Sequence, residues 1–139
     1  MSPATVFQFA NLFVLIGWFL LFFAPEWKYT HKVVLQIVVG ILAIVYIILI
    51  VPALSSFSGD SFSTLANVKA LFQDDQAVAA GWIHYLAFDL FVGAYIVKEG
   101  IASGLARWKY TVCLPFTFMF GPVGLLFNLI IRRLSGIKV

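Results

Sequence analysis

Four long apolar runs constrain this chain more than any other feature of its sequence. The clearest of them, residues 33–51, contains 19 residues and no charged side chain. A helix needs about 20 predominantly apolar residues to cross the hydrocarbon core of a bilayer. Runs of similar length lie at 5–24, 77–97 and 110–131. We therefore predict an all-α fold, a four-transmembrane-helix bundle that forms one domain over residues 1–139 and has both termini on the same side.

The composition agrees with a membrane protein and argues against other classes. The chain is 63% hydrophobic and 11% charged, whereas soluble domains have about 25% charged residues. Its cations flank the apolar runs, so we expect membrane lipid as a partner and no nucleic acid. No Lys or Arg precedes the first run, which argues against a secretory leader. We expect an integral, multi-pass protein of a bacterial inner membrane, or of a plastid membrane if this is a processed form.

Prolines indicate where the runs end and where one of them is interrupted. Pro25 and Pro52 end the first two runs, and Pro115 and Pro122 interrupt the fourth. Such breaks are tolerated where neighbouring helices satisfy the freed carbonyl groups. Between the second and third runs, Ser61 could cap a short amphipathic helix on the membrane surface. A lid over a ligand is the alternative interpretation of this short helix.

The third run carries two ionisable residues, Asp89 near its middle and His84 nearer one end. A charged residue at the centre of a membrane helix costs roughly 2.5–3.5 kcal/mol on insertion scales. We therefore interpret Asp89 as functional, and His84 as either functional or an interhelical hydrogen-bonding residue. On one helix they point about 140° apart, so they share a site only if a cavity wraps around the helix or their side chains bend towards one substrate. Their i, i+5 spacing also argues against a metal site.

Aromatic and amide side chains complete the candidate site. The expected substrate-binding residues are Trp82, Tyr85, Phe88, Asn128, Asn11 and Gln36. The three amides lie in the other apolar runs, so each could hydrogen-bond Asp89 or His84. Simple interhelical hydrogen bonding, worth about 0.6 kcal/mol on average, is the alternative role for these amides.

Small and polar residues form a stripe on the fourth run. Thr117, Gly121, Gly124 and Asn128 follow one another at steps of four, three and four residues, so they share one helix face. The glycines would let another helix approach closely.

Three segments resemble a known family. Residues 81–91 read GWIHYLAFDLF, residues 120–126 read FGPVGLL, and residues 10–13 read ANLF. These segments resemble the abscisic-acid-deficiency-four-like membrane family and follow one another along the chain in the same order as in that family. The family is named for a plant chloroplast protein required for neoxanthin formation. The resemblance covers nearly the whole chain, and its most specific part is the W-I-H-x-L-x-x-D-L-F core.

The resemblance implies a four-span membrane protein of xanthophyll metabolism, in which the 5,6-epoxide of violaxanthin is opened to the allene of neoxanthin. Opening the epoxide needs a proton donor, and forming the allene needs a base. A carboxyl group away from water can keep its proton near neutrality. We therefore expect Asp89 to be the acid or charge stabiliser, and His84 the base or relay, of an isomerase that uses no cofactor.

Two other functions stay open at this point. A non-catalytic carotenoid-binding or accessory subunit, in a larger membrane complex or a homo-oligomer, would use the same aromatic residues. A small proton-coupled transporter could be built around Asp89, although the sequence lacks the internal repeat typical of transporters.

Overall fold

The computed structural model describes residues 2–54 and 58–137, and all regular secondary structure within these ranges is helical. The elements are α1 Pro3–Phe23, α2 Thr30–Lys32, a π-helix at Val33–Val39, α3 Gly40–Ala53, α4 Leu65–Leu71, α5 Asp75–Ala102, α6 Arg107–Thr111, α7 Leu114–Met119 and α8 Gly121–Leu134. The prediction of an all-α fold is confirmed for the described residues.

Within residues 2–54 and 58–137, three helices are long and apolar enough to cross a membrane. They are α1, the rod Thr30–Pro52 in which α2, the π-helix and α3 run on continuously, and α5. Residues 110–131 were expected to form a fourth, but they are divided among α6, α7 and α8. Pro115 and Pro122 each stand in the first turn of a new helix. A proline is accommodated at such a position because the first N–H groups of a helix have no partner within it.

Helix α5 lies at the centre and packs against α1, α3, α7 and α8. Small residues allow the close approach of α1. Gly17 faces the side chain of Leu90, and Gly93 faces the ring of Trp18, with no space for a further carbon atom at either glycine. Because it has neighbours on several sides, α5 buries residues around most of its circumference.

The π-helix determines which side of the Thr30–Pro52 rod is buried. The buried apolar residues in this rod are Val34, Val38, Leu42 and Leu49. A π-helix closes i→i+5 hydrogen bonds and holds more residues per turn than an α-helix. Successive buried residues are therefore four positions apart from Val34 to Leu42. Leu42 and Leu49, both in α3, are seven positions apart, which is two α-helical turns. This register leaves Gln36 exposed on the outside of the protein.

The short helix α4 begins one turn later than expected. Its N-cap is Thr64, whose hydroxyl accepts a hydrogen bond from the Asn67 N–H at 3.2 Å, and not Ser61. Helix α4 buries none of its residues. Phe72, which follows it, turns back and packs against Gly81 of α5. Its position on a membrane surface stays a prediction.

Residues 107–137 form a helical hairpin beside the second half of α5. Tyr110 of α6 packs against Gly100, near the end of α5. Met119, at the end of α7, meets Tyr85, near the middle of α5. The first arm of the hairpin, α6 and α7, therefore runs back from the end of α5 towards its middle.

The second arm, α8, returns along α5 in the opposite direction. Gly121 contacts Asp89, and Arg132 forms a salt bridge with Glu99 at 3.4 Å. These contacts are separated by about 16 Å along α8 and about 15 Å along α5, at a rise of 1.5 Å per residue. The two helices therefore run parallel and in step.

A hydrogen bond of 2.9 Å from Lys109 Nζ to Ser135 Oγ joins the two ends of the hairpin. The first arm therefore begins, and the second arm ends, near the C-terminal end of α5. We predict that in a bilayer residues 107–137 would form a re-entrant hairpin, which enters and leaves on one side. The chain would then cross three times. The expectation of four spans with both termini on one side stays a prediction, which the topology of the chain can test.

The hairpin makes a testable prediction about topology. With three crossings, cysteines introduced as Ser2→Cys and Asp60→Cys should be labelled by a membrane-impermeant maleimide from one side. Trp27→Cys and Ser135→Cys should be labelled only from the other side. The natural Cys113 is buried and should give little background. Labelling of Ser2→Cys and Ser135→Cys from the same side would contradict the re-entrant hairpin and restore four spans.

Candidate functional site

Asp89 lies at the tip of the hairpin, where its carboxyl group meets the first residue of α8. The residue is 7% exposed, and the Gly121 N–H donates a hydrogen bond to Oδ2 at 3.3 Å. The first N–H groups of a helix have no acceptor within the helix. A carboxylate at this end also interacts favourably with the helix dipole. Asp89 therefore acts as the N-terminal cap of α8, although it belongs to another helix.

Tyr85 lies one turn before Asp89 on α5. It hydrogen-bonds the last residue of α7, on the other side of the break between α7 and α8. Its hydroxyl donates to the carbonyl oxygen of Met119, the last residue of α7, at 2.5 Å. It also lies against the Asp89 carboxyl group. The backbone is broken at Phe120, with φ −151° and ψ 72°. Two side chains of α5 thus supply the hydrogen bonds that an unbroken helix would have made.

The small and polar residues predicted on the fourth run lie where the two arms of the hairpin and α5 are in contact. Thr117, Gly121, Gly124 and Asn128 are all buried. A methyl group at Gly121 would overlap the Asp89 carboxyl group, and one at Gly124 would overlap the Thr117 side chain and backbone. Glycine is therefore required at both positions because another segment lies in contact with the backbone.

Asn128 lies about two turns along α8 from the Asp89 contact. It is fully buried, and its side-chain amide has no hydrogen-bond partner within residues 2–54 and 58–137. The Cys113 thiol lies beside it. The structure therefore does not bring Asn128 to Asp89 or to His84.

Trp82 continues the Asp89 face of α5 towards α1. Its indole N–H donates to Asn11 Oδ1 at 2.8 Å. Its ring lies 5.4 Å from Phe7 and 5.3 Å from Tyr85, measured between centroids. Asn11 is thus the partner of Trp82 and does not contact either ionisable residue.

His84 lies on a different side of α5, at a groove between α5 and the Thr30–Pro52 rod. The groove has a volume of about 450 Å³ and is lined by Val39, Ala43, Tyr46, His84, Ala87, Phe88 and Phe91. The His84 ring stacks on Phe88, with centroids 4.5 Å apart, and lies 5.7 Å from the Tyr46 ring. Apart from His84 and Tyr46, the lining side chains are apolar.

The predicted site residues therefore fall into separate groups. Asp89 and Tyr85 hold the hairpin, with Trp82 and Asn11 beside them. His84 and Phe88 belong to the groove, and Asp89 is not among the residues that line it. The roles assigned to these residues from sequence stay predictions.

Tyr46 is the groove residue that the sequence reasoning missed. The available signal was the single aromatic residue of the charge-free run 33–51, in which Gln36 is the other polar side chain. That signal is weak because it gives no indication of which side of the helix faces α5. The π-helix, which cannot be read from such a run, decides that orientation.

The fold and site of the described part of the chain define a class: a helical protein in which three helices are long and apolar enough to span a membrane and a broken helix is capped by a buried carboxyl group. The comparison with known proteins then identifies the family. Residues 5–127 match the ABA DEFICIENT 4-like family, and the chain belongs to it. The family resemblance predicted from sequence is confirmed.

One relative is the Protein ABA DEFICIENT 4, chloroplastic, of Arabidopsis thaliana. It is 26% identical over 141 residues, which cover 94% of this chain and 62% of the relative. The chain thus spans about three fifths of the length of that relative. No solved structure matches the chain.

The cap at the hairpin tip makes a prediction about stability. Asp89→Ala leaves the Gly121 N–H without its partner, and a buried unsatisfied donor costs about 1–3 kcal/mol. Asp89→Asn keeps a carbonyl oxygen as acceptor and should lose less. Thermal unfolding in detergent should therefore rank wild type and Asp89→Asn above Asp89→Ala. The control is Asp60→Ala in an exposed loop, and equal unfolding midpoints for Asp60→Ala and Asp89→Ala would contradict the capping role.

Proposed function

We propose that this protein is a multi-pass integral membrane protein that binds a carotenoid in the groove between α3 and α5. The groove itself is the observation that carries this proposal. It is lined by aliphatic and aromatic side chains, with only His84 and Tyr46 as polar groups. Phe88 and Phe91 on its border are exposed on the outer, apolar surface. A polyene dissolved in the bilayer could therefore enter from the lipid without passing through water.

Membership of the ABA DEFICIENT 4-like family supports xanthophylls as the class of carotenoid. The sequence resemblance connects this family with the conversion of a xanthophyll epoxide to an allene. We extend that chemistry to this chain as part of the proposal.

Epoxide-to-allene conversion is an isomerisation and requires only the movement of protons. A base removes a vinylic proton, its electron pair forms the second double bond of the allene, and the adjacent epoxide C–O bond breaks. The oxygen then takes up a proton and becomes a hydroxyl group. His84 is the base in this proposal because it has the only imidazole among the groove-lining residues, and histidine is the commonest general base in proteins.

Asp89 has a different part in the proposal from the one expected from sequence. It lies on another side of α5, and its carboxyl group is engaged by the Gly121 N–H. We propose that Asp89 maintains the re-entrant hairpin and does not contact the carotenoid. This assignment accounts for a carboxyl group in apolar surroundings without placing it in the reaction.

Expression in a bacterial host that makes epoxidised xanthophylls tests the proposal. The wild-type protein should produce a pigment of unchanged mass and altered absorption spectrum, detected by chromatography and mass spectrometry. His84→Phe keeps an aromatic ring in the groove but removes the base, so conversion should fall by a factor of about 100.

Two variants serve as controls for this experiment. Gln36→Leu changes an exposed side chain that does not line the groove, and its pigment yield should equal that of the wild type. Asp89→Asn should convert the pigment in proportion to the amount of folded protein. Folded wild-type protein that neither retains nor changes any xanthophyll would refute the proposal.

A proton-coupled transporter is the second candidate, and the re-entrant hairpin is the observation that favours it. Transporters often place the N-terminus of a broken helix near the bilayer midplane. In this chain the Asp89 carboxyl group already occupies that helix end. Proton flux into liposomes that is abolished in Asp89→Asn would favour transport, and its absence would leave the carotenoid proposal in place.

A further inference from the structure

Tyr46 and His84 are polar groups in the groove that lack hydrogen-bond partners. The His84 ring contacts the rings of Tyr46 and Phe88. Tyr46 is half-buried and His84 is exposed at the groove. Neither the Tyr46 hydroxyl nor a ring nitrogen of His84 makes a hydrogen bond within the described ranges 2–54 and 58–137. Polar groups in apolar surroundings are unfavourable unless they are hydrogen-bonded. A ligand that fills this groove would therefore be expected to present an oxygen atom to the Tyr46 hydroxyl group.

Gln76, near the start of α5, donates a side-chain hydrogen bond to the Leu49 carbonyl oxygen at 2.6 Å, so the start of α5 lies beside the last turns of α3. Tyr46 lies about 10 Å along α3 from Ala53, and His84 lies about 13 Å along α5 from Asp75, at a rise of 1.5 Å per residue. Both side chains therefore reach a similar level of the helix pair. With these helices spanning a bilayer, as proposed above, that level falls within a hydrocarbon core that is about 30 Å thick, where water is a poor partner.

We propose that Tyr46 is the catalytic acid of the isomerisation and donates its hydroxyl proton to the epoxide oxygen. This inference rests on the proposed function and adds to it the proton donor, which was assigned to Asp89 on sequence grounds. Among the residues that line the groove, Tyr46 has the only hydroxyl group, and none of them has a carboxyl group. Tyrosine is one of the side chains that act as general acids in enzymes.

The proton balance closes within the groove. His84 takes the vinylic proton and becomes imidazolium, while Tyr46 gives its proton to the epoxide oxygen and becomes phenolate. The C–O bond breaks as the allene forms, so substrate and product have the same atoms and the same oxidation state. Return of the proton from the imidazolium to the phenolate after product leaves restores both groups, whose ring centroids lie 5.7 Å apart.

Tyr46→Phe tests this assignment because it removes the hydroxyl group and keeps the ring. The matched control is Tyr95→Phe, the same substitution at an exposed tyrosine of α5 outside the groove-lining residues. Each purified variant is titrated with a purified epoxy-xanthophyll in detergent, and binding is followed by the pigment absorption band. Conversion is then measured as the amount of isomerised pigment per folded protein.

For Tyr46→Phe we expect conversion to fall by a factor of about 100, while binding of the epoxy-xanthophyll weakens by about tenfold or less. Tyr95→Phe should match the wild type in both measurements. This separation of conversion from binding identifies a proton donor, because a variant with a damaged fold would lose both together.

The remaining outcomes distinguish this inference from the proposed function. If the wild type neither binds nor converts the pigment, the proposed function itself is wrong. If the wild type converts it and Tyr46→Phe does so at the same rate, only the assignment of Tyr46 is overturned. If the wild type binds pigment without converting it, Tyr46 has no catalytic part and the groove is a binding site only.

Discussion

The hydrogen bond from the Gly121 N–H to the Asp89 carboxyl group is the interaction on which the arrangement of the second half of this protein depends. It compensates for a break in helical structure within apolar surroundings, where an unpaired N–H is strongly unfavourable. The Tyr85 hydroxyl does the same for the Met119 carbonyl group. With both sides of the break satisfied, residues 107–137 can fold back beside α5.

Different sides of the central helix α5 therefore make different contacts. One part, with Tyr85 and Asp89, contacts the hairpin and is buried. Another part, with His84 and Phe88, faces a groove that is open to the outer apolar surface. Because these sides are separated by the body of the helix, the acid in the proposed reaction comes from α3. The site proposed for the carotenoid is therefore formed by two helices that pack in antiparallel orientation.

Much of this organisation could be predicted from the sequence, and the missing parts have identifiable causes. The apolar runs and their prolines predicted the all-α fold, the three long helices and the position of the interruption in the fourth run. The angle between positions 84 and 89 predicted that the two ionisable residues would diverge. The sequence could not show that the interruption reverses the chain, because a kinked helix and a hairpin both contain the prolines. Tyr46 was missed because a uniformly apolar run contains no periodicity from which its orientation could be read.

Composition and helical periodicity alone determined that this chain forms apolar helices and that His84 and Asp89 occupy different faces of one of them, because both properties follow from local geometry. Tertiary structure decided what each residue contacts. The pairing of Asp89 with Gly121, of Glu99 with Arg132, and of His84 with Tyr46 joins residues that are 32, 33 and 38 positions apart. Such contacts depend on how separate helices pack. The hydrophobicity of a run does not indicate which neighbouring helix it packs against.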